Sequence, residues 1–214
     1  MQLERMFRSA VAELVNRQIP FAVAGGLAAS LYRKETRVTM DVDLCVDIKK
    51  QSRKIAIAVI ESLNLSASIV READLAGGPL FAIRKGTTRP CIVVGHSSEG
   101  GADGGVDLLL PSLPWVSDAV ARAQSCLIDF GFGMIPVLTL EDVILSKLYA
   151  LTSALPRPRD MDDLQAIFQA EHNVDMAYLA GQTRHFGIRV SKTALPFLPD
   201  PIRKLASRGR HSKT

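Results

Sequence analysis

The residues with the clearest chemistry form one short run, Met40-Asp-Val-Asp-Leu-Cys-Val-Asp47. Its β-branched and apolar alternation predicts a strand over residues 40–48. Side chains at i and i+2 of a strand share a face, so Asp41 and Asp43 project together, opposite Val42, Leu44 and Val46. Adjacent carboxylates repel unless a cation lies between them. A hard ion such as Mg²⁺ takes one or two carboxylates together with phosphate oxygens. The pair therefore reads as a metal clamp or, on this pattern alone, as solvated surface. Asp47, at the far end of the strand, suits a salt bridge or a helix cap better. A third acid, Asp107, opens the apolar run Val106 to Leu110, 64 positions after Asp43. Burying an acid there is costly unless it is paired or metal-bound; the plainer alternative is an exposed strand end. Three clustered acids would complete a two-ion site of the kind that stabilises both oxygens of an in-line displacement.

Other elements must position these groups. Phe21 to Ala24 reads as a buried strand, and Gly25-Gly26 lies between it and a small-residue helix, Leu27 to Tyr32. Glycines let the backbone turn tightly and approach a ligand. Backbone N–H groups at such a turn form an anion site, and a plain strand-to-helix turn is the alternative. The turn is neither a Gly-Lys-Ser/Thr phosphate loop nor a dinucleotide fingerprint. Lys147 lies on a helix expected from about 140 to 155 among Val143, Leu148 and Leu151. A lysine there needs an anion, such as a triphosphate, or a path to solvent. Arg157, Arg159 and Asp160 follow a Pro-rich break, with Asp160 as the expected N-cap of a helix over 160–170. Arg37 either reaches phosphate or covers surface.

Amphipathic helices are expected over 3–17 and 55–63, and strands over 68–70, 80–83, 91–94 and 106–110. Residues 115–123 read as a helix, 126–137 as a hairpin, and 175–186 as a further helix. The order is α, then mixed α and β to about residue 138, then all α. This is an α+β chain divided as 1–138, 139–190 and a flexible basic tail, 191–214.

Together these segments resemble the nucleotidyltransferase fold of the polymerase-beta type. The resemblance rests on Ala24-Gly-Gly-Leu-Ala-Ala-Ser-Leu-Tyr32, the Arg37-x-Thr-x-Asp-x-Asp43 connection and Asp107. Ile135 to Leu151 and Arg159-Asp-Met-Asp-Asp-Leu164 look like the helical part of minimal bacterial members, among them the AbiEii-type toxins. The resemblance implies a mixed sheet flanked by helices. It implies that Asp41, Asp43 and Asp107 hold Mg²⁺ or Mn²⁺, and that Asp107 activates the attacking hydroxyl. It implies nucleotide contacts from Gly25, Gly26, Arg37, Lys147 and Asp160. Many members carry Ser after the first glycine; here the residue is Gly26, which leaves backbone donors at that turn. The implied reaction moves a nucleoside monophosphate from an NTP to RNA (tRNA included), a protein or a small molecule. A cognate antitoxin is the further implied partner. The alternative is a non-catalytic nucleotide- or protein-binding module on the same fold.

Composition narrows the classes. The 214 residues carry a formal charge of +4. Five cations, Arg203, Lys204, Arg208, Arg210 and Lys213, fall in the last twelve residues without an acid. The body then holds 21 cations against 22 acids, or −1. A uniformly basic nucleic-acid binder is excluded, and with eight Phe, three Tyr and one Trp the chain lacks the aromatic-basic interleaving of single-strand binders. Cys45, Cys91 and Cys126 are far apart and form no zinc or disulfide pattern, as in a reducing, cytoplasmic setting. His96, His172, His185 and His211 have no partners at ligand spacing. Residues 1–16 lack the apolar core of a signal peptide, and no run suits a membrane span.

Overall fold

A computed structural model describes residues 2–71, 89–97, 104–152 and 157–208. The expected strand at 80–83, most of the glycine-rich loop before Gly104, and Arg210, His211 and Lys213 lie outside these residues. The chain divides into two compact units. The first comprises 1–28, 37–72 and 88–139; the second comprises 29–36, 73–87 and 140–214.

The first unit is built on a five-stranded sheet. Its strands are β1 (Phe21–Val23), β2 (Val42–Val46), β3 (Ser66–Arg71), β4 (Pro90–His96) and β5 (Val106–Leu109), in the order β1-β2-β5-β4-β3. Only β2 and β5 run parallel; the other pairs are antiparallel. Helices α1 (Gln2–Asn16), α3 (Ser52–Ser62) and α4 (Val116–Ala123) pack against the sheet. The pleat sorts the side chains by exposure. Val42, Leu44, Val106, Leu108, Cys91 and Val93 are buried, whereas Asp43, Asp107, Ile92 and Val94 on the alternate positions are half-buried. A hairpin of β6 (Leu127–Asp129) and β7 (Met134–Pro136) joins β1 through a parallel bridge from Val23 to Val137. Phe7 of α1 meets Phe130 and Phe132 of the hairpin edge-on, at centroid distances of 5.0 and 5.3 Å.

The second unit is helical. Its helices are α5 (Leu140–Ala150), α6 (Pro158–Gln169), α7 (Met176–His185) and α8 (Asp200–Arg208), with a 3₁₀ turn at Leu195–Phe197. Leu164 and Ile167 of α6 and Leu179 of α7 are buried with the apolar residues of α5.

Three local readings are corrected. Helix α6 begins at Pro158 with Arg157 as its N-cap, so Asp160 lies inside the first turn and caps nothing. Proline suits the first helical position, where no N–H partner is needed. Strand β2 begins at Val42, so Asp41 precedes it. The stretch read as a flexible tail carries the 3₁₀ turn and α8, anchored by buried Leu198 and Ile202. Two apolar anchors four residues apart were too sparse to register as a periodic helix.

Among the described residues no helix is long and apolar enough to cross a membrane. Cys45 and Cys91 are buried and Cys126 is half-buried, and none of the three is in a disulfide.

Candidate active site

In the first unit the acids stand where β2 and β5 run side by side. Asp43 and Asp107 are register partners across this parallel pair, so their side chains leave the same face on strands about 4.8 Å apart. Asp43 is locked to the glycine turn that opens α2 (Gly25–Leu31). Gly25 has φ +56°, and a Cβ there would lie 1.8 Å from Asp43 Oδ2. No other residue fits, because the left-handed backbone and the carboxylate both exclude a side chain. Gly26 N–H points at Asp43 Oδ2 at 3.4 Å, and Ala24 N–H donates to the Asp43 carbonyl at 2.9 Å. Asp41 is held differently, its Oδ1 accepting from Gly105 N–H at 3.1 Å. Gly104 and Gly105 are equally constrained: a Cβ on the first would sit 1.5 Å from the Met40 carbonyl, and on the second 2.3 Å from that of Gly95.

Burial pushes the Asp107 carboxyl up to about 7, with Asp43 and then Asp41 adding to the shift. Two oxygen-donor carboxylates in register, one reluctant to ionise, constitute a site short of positive charge. This donor set fits a hard divalent cation. Among the described residues no three His, Cys, Asp or Glu side chains form a ready-made cage. Mg²⁺ does not require one, since it commonly uses one or two carboxylates and completes its shell with phosphate and water.

Arg37 and Thr39 also reach the glycine turn, next to Gly26. The structure thus gathers Gly25, Gly26, Arg37, Asp41, Asp43 and Asp107 in one unit, together with Thr39, whose role the sequence left unassigned. Asp47 is occupied elsewhere, accepting from Ser117 Oγ at 2.8 Å and pairing with Lys49.

Lys147 and Asp160 belong to the second unit. Lys147 is 6% exposed, and its Nζ lies 2.8 Å from both Asp160 Oδ1 and Asp163 Oδ2. Burial alone would pull the ammonium down, but the two carboxylates outweigh it and hold it above its ordinary value. Lys147 therefore stays charged without snorkelling, its anions supplied from α6. Asp163 is fully buried and also takes Arg33 Nη1 at 2.7 Å, while Arg33 reaches Asp162 as well. Sequence reading missed Asp163 and Arg33. The available signal was the i, i+3 spacing of Asp160 and Asp163, which puts both on one helix face.

Asp163→Asn should lower stability by about 3 kcal/mol, the low end for breaking a buried pair, because Lys147 keeps Asp160 and Arg33 keeps Asp162. For a chain of this size that is a fall of about 6–12 °C in thermal unfolding. A change under 2 °C would show that the cluster contributes little to stability.

The solution structure of the antibiotic-resistance factor ANT(2'')-Ia matches this chain with a TM-score of 0.52 at 16% identity, over 86% of this chain and 92% of that one. JHP933 from Helicobacter pylori matches at 0.45 and 16% identity, over 86% and 72%. An antigenic nucleotidyltransferase-like protein from Paracoccidioides brasiliensis matches at 0.44 and 14%, over 88% and 94%. The fold is that of the nucleotidyltransferases. No curated protein matches in sequence. The family model of the AbiEii nucleotidyl transferase toxins of type IV toxin–antitoxin systems matches residues 9–212. The chain belongs to that family and is a nucleotidyltransferase.

Proposed function

We propose that this protein transfers a nucleoside monophosphate from an NTP to a hydroxyl acceptor in a Mg²⁺- or Mn²⁺-dependent reaction that releases pyrophosphate. The observation that carries the reading is the register pairing of Asp43 with Asp107 beside Gly25 and Gly26. Asp43 and Asp107 would hold the ion, with Asp41 alongside. When bound, the ion supplies positive charge to the phosphate oxygens and the leaving group.

The chain's own residues do the rest. With glycine at residue 25 no side chain covers the Asp43 carboxylate, and Gly26 turns its N–H to the same carboxylate. Asp107, ionising near neutrality, suits removal of the proton from the acceptor hydroxyl as it attacks the α-phosphorus. Catalysis of this type is mainly positioning and charge stabilisation. Lys147 and Asp160 are already paired within the second unit, so no step is placed on them. The acceptor is RNA, a protein or a small molecule, and the family supports an antitoxin as partner.

The test uses each α-labelled NTP with Mg²⁺, cell RNA and lysate, and compares wild type with Asp43→Asn. Label should appear in one acceptor fraction with the wild type only. Binding of an NTP without transfer in any fraction would favour the non-catalytic module, and Asp43-independent labelling would sink the site assignment.

A further inference from the structure

The sheet face that carries the acids extends beyond them. Asp43, Asp107, Val94 and Ser68 are successive register partners across β2, β5, β4 and β3. Their side chains therefore stand in one row on one face. The opposite face is packed, since a Cβ on Gly95 would lie 2.8 Å from Ile60 of α3. His96, two residues after Val94, returns to the acid face. It is the diagonal neighbour of Asp107 across β5 and β4, a separation of about 7–8 Å that a ring side chain can bridge.

Val94 is half-buried, and Ser68 and His96 are exposed. Ser68 Oγ lies 2.7 Å from His96 Nε2 and fixes the ring. Nδ1 has no partner among the described residues. If the Ser68 hydroxyl donates to Nε2, Nδ1 carries the proton and is a donor; if Nε2–H donates to Ser68, Nδ1 is an acceptor. Either tautomer leaves one oriented ring nitrogen for a ligand. No spacing in the sequence singles out His96, because its partner is 28 residues away on another strand.

The two flanks of Asp107 differ in charge. The β2 flank holds Asp43, the glycine turn and Arg37. On the other flank, residues 90–97 contain no Lys, Arg, Asp or Glu, and Asp107 is the one charged residue of 104–110. Strand β3 adds Arg71 at its far end, opposite Pro90. A surface of valine, hydroxyl and imidazole suits an uncharged, hydroxyl-bearing group better than a polyphosphate, which calls for cations.

We propose that His96, held by Ser68, binds the acceptor on this flank, its Nδ1 hydrogen-bonded to a polar atom next to the reacting hydroxyl. This rests on the nucleotidyl-transfer reading above. In that reaction the acceptor oxygen bonds to the α-phosphorus, its proton passes to Asp107, and the bond to pyrophosphate breaks. His96 takes no proton. It places the hydroxyl, and Ser68 is a positioning residue that acts through the ring.

The test titrates cell RNA, lysate protein and lysate small molecules as acceptors with α-labelled NTP and Mg²⁺, using the fraction that wild type labels. His96→Ala should lower kcat/KM for that acceptor about 10-fold, the upper end for one neutral hydrogen bond, and leave KM for the NTP within about 2-fold. Asparagine carries a polar atom where Nδ1 stood, and glutamine carries one where Nε2 stood. His96→Asn should therefore recover to within about 3-fold of wild type, whereas His96→Gln should stay near His96→Ala. Ser68→Ala should cost less than His96→Ala and add little to it in the double variant. Both side chains are exposed, so melting curves should stay within about 2 °C of wild type. An unchanged acceptor kcat/KM in His96→Ala overturns the inference. So does recovery by His96→Gln in place of His96→Asn, which would make the ring a link to β3 only. Wild type that labels no fraction overturns the transfer reading itself.

Discussion

Asp43→Asn is expected to lower nucleotidyl transfer by about 10³-fold or more, while the protein melts within a few degrees of wild type. Asparagine keeps the size of the side chain and an oxygen for the Gly26 N–H, so the glycine turn has no reason to move. What is lost is the charge. Asp43 stands in register with Asp107, next to the Gly25-Gly26 turn. Removing a single preorganised electrostatic group from such a centre costs about 10²–10³ in rate. Loss of an ion's ligand adds to that, because a neutral amide oxygen is a weaker partner for a hard divalent ion. Steady-state kcat/KM with a labelled NTP and melting curves of both proteins check the prediction. Activity above a tenth of wild type would remove Asp43 from the centre.

Asp107→Asn should separate activity from stability. Its carboxyl is pushed from the ordinary 3.8 to about 7, first by burial and then by Asp43 and Asp41. Between those values the folded protein holds a proton that the unfolded chain has released. Stability of the metal-free protein therefore falls as pH rises from about 4 to about 7, and the loss is complete above 7. Its size is on the order of 4 kcal/mol at most, since a tenfold change in proton affinity corresponds to about 1.4 kcal/mol. Asparagine carries no charge, so Asp107→Asn should melt higher than wild type at pH 8 and about equally at pH 4, both in EDTA. Transfer should fall by about 10²-fold or more. Added Mg²⁺ should raise the melting temperature of wild type at pH 8 and leave the variant almost unchanged. Equal melting of both proteins at pH 8 would mean that Asp107 is not strained by its neighbours.

The two expectations differ because the acids are held differently, and that difference was only partly legible in the sequence. The spacing of Asp41 and Asp43 predicted one face of one strand. In the structure β2 starts after Asp41, whose oxygen is taken by Gly105 N–H, 64 residues away. The partner in register with Asp43 is Asp107, on a strand that no local pattern assigns as its neighbour. The glycines were visible as a turn, yet the reason for Gly25 is the Asp43 carboxylate behind it. In the helical unit, the sequence left Lys147 either an anion such as a triphosphate or a path to solvent. That Asp160 and Asp163 provide the anion, with Arg33 on the far side of Asp163, follows from packing between segments distant in sequence.

The sequence by itself determined the order of most elements, the two glycines, the three acids and the family these motifs resemble. Those are properties of spacing and residue type, and strand and helix periodicity carry them locally. The tertiary structure alone decided which acids pair, which carboxyl resists ionisation, which cation is neutralised within its own unit, and why residue 25 bears no side chain. Each depends on burial and on distances between segments tens of residues apart, and no local pattern encodes either.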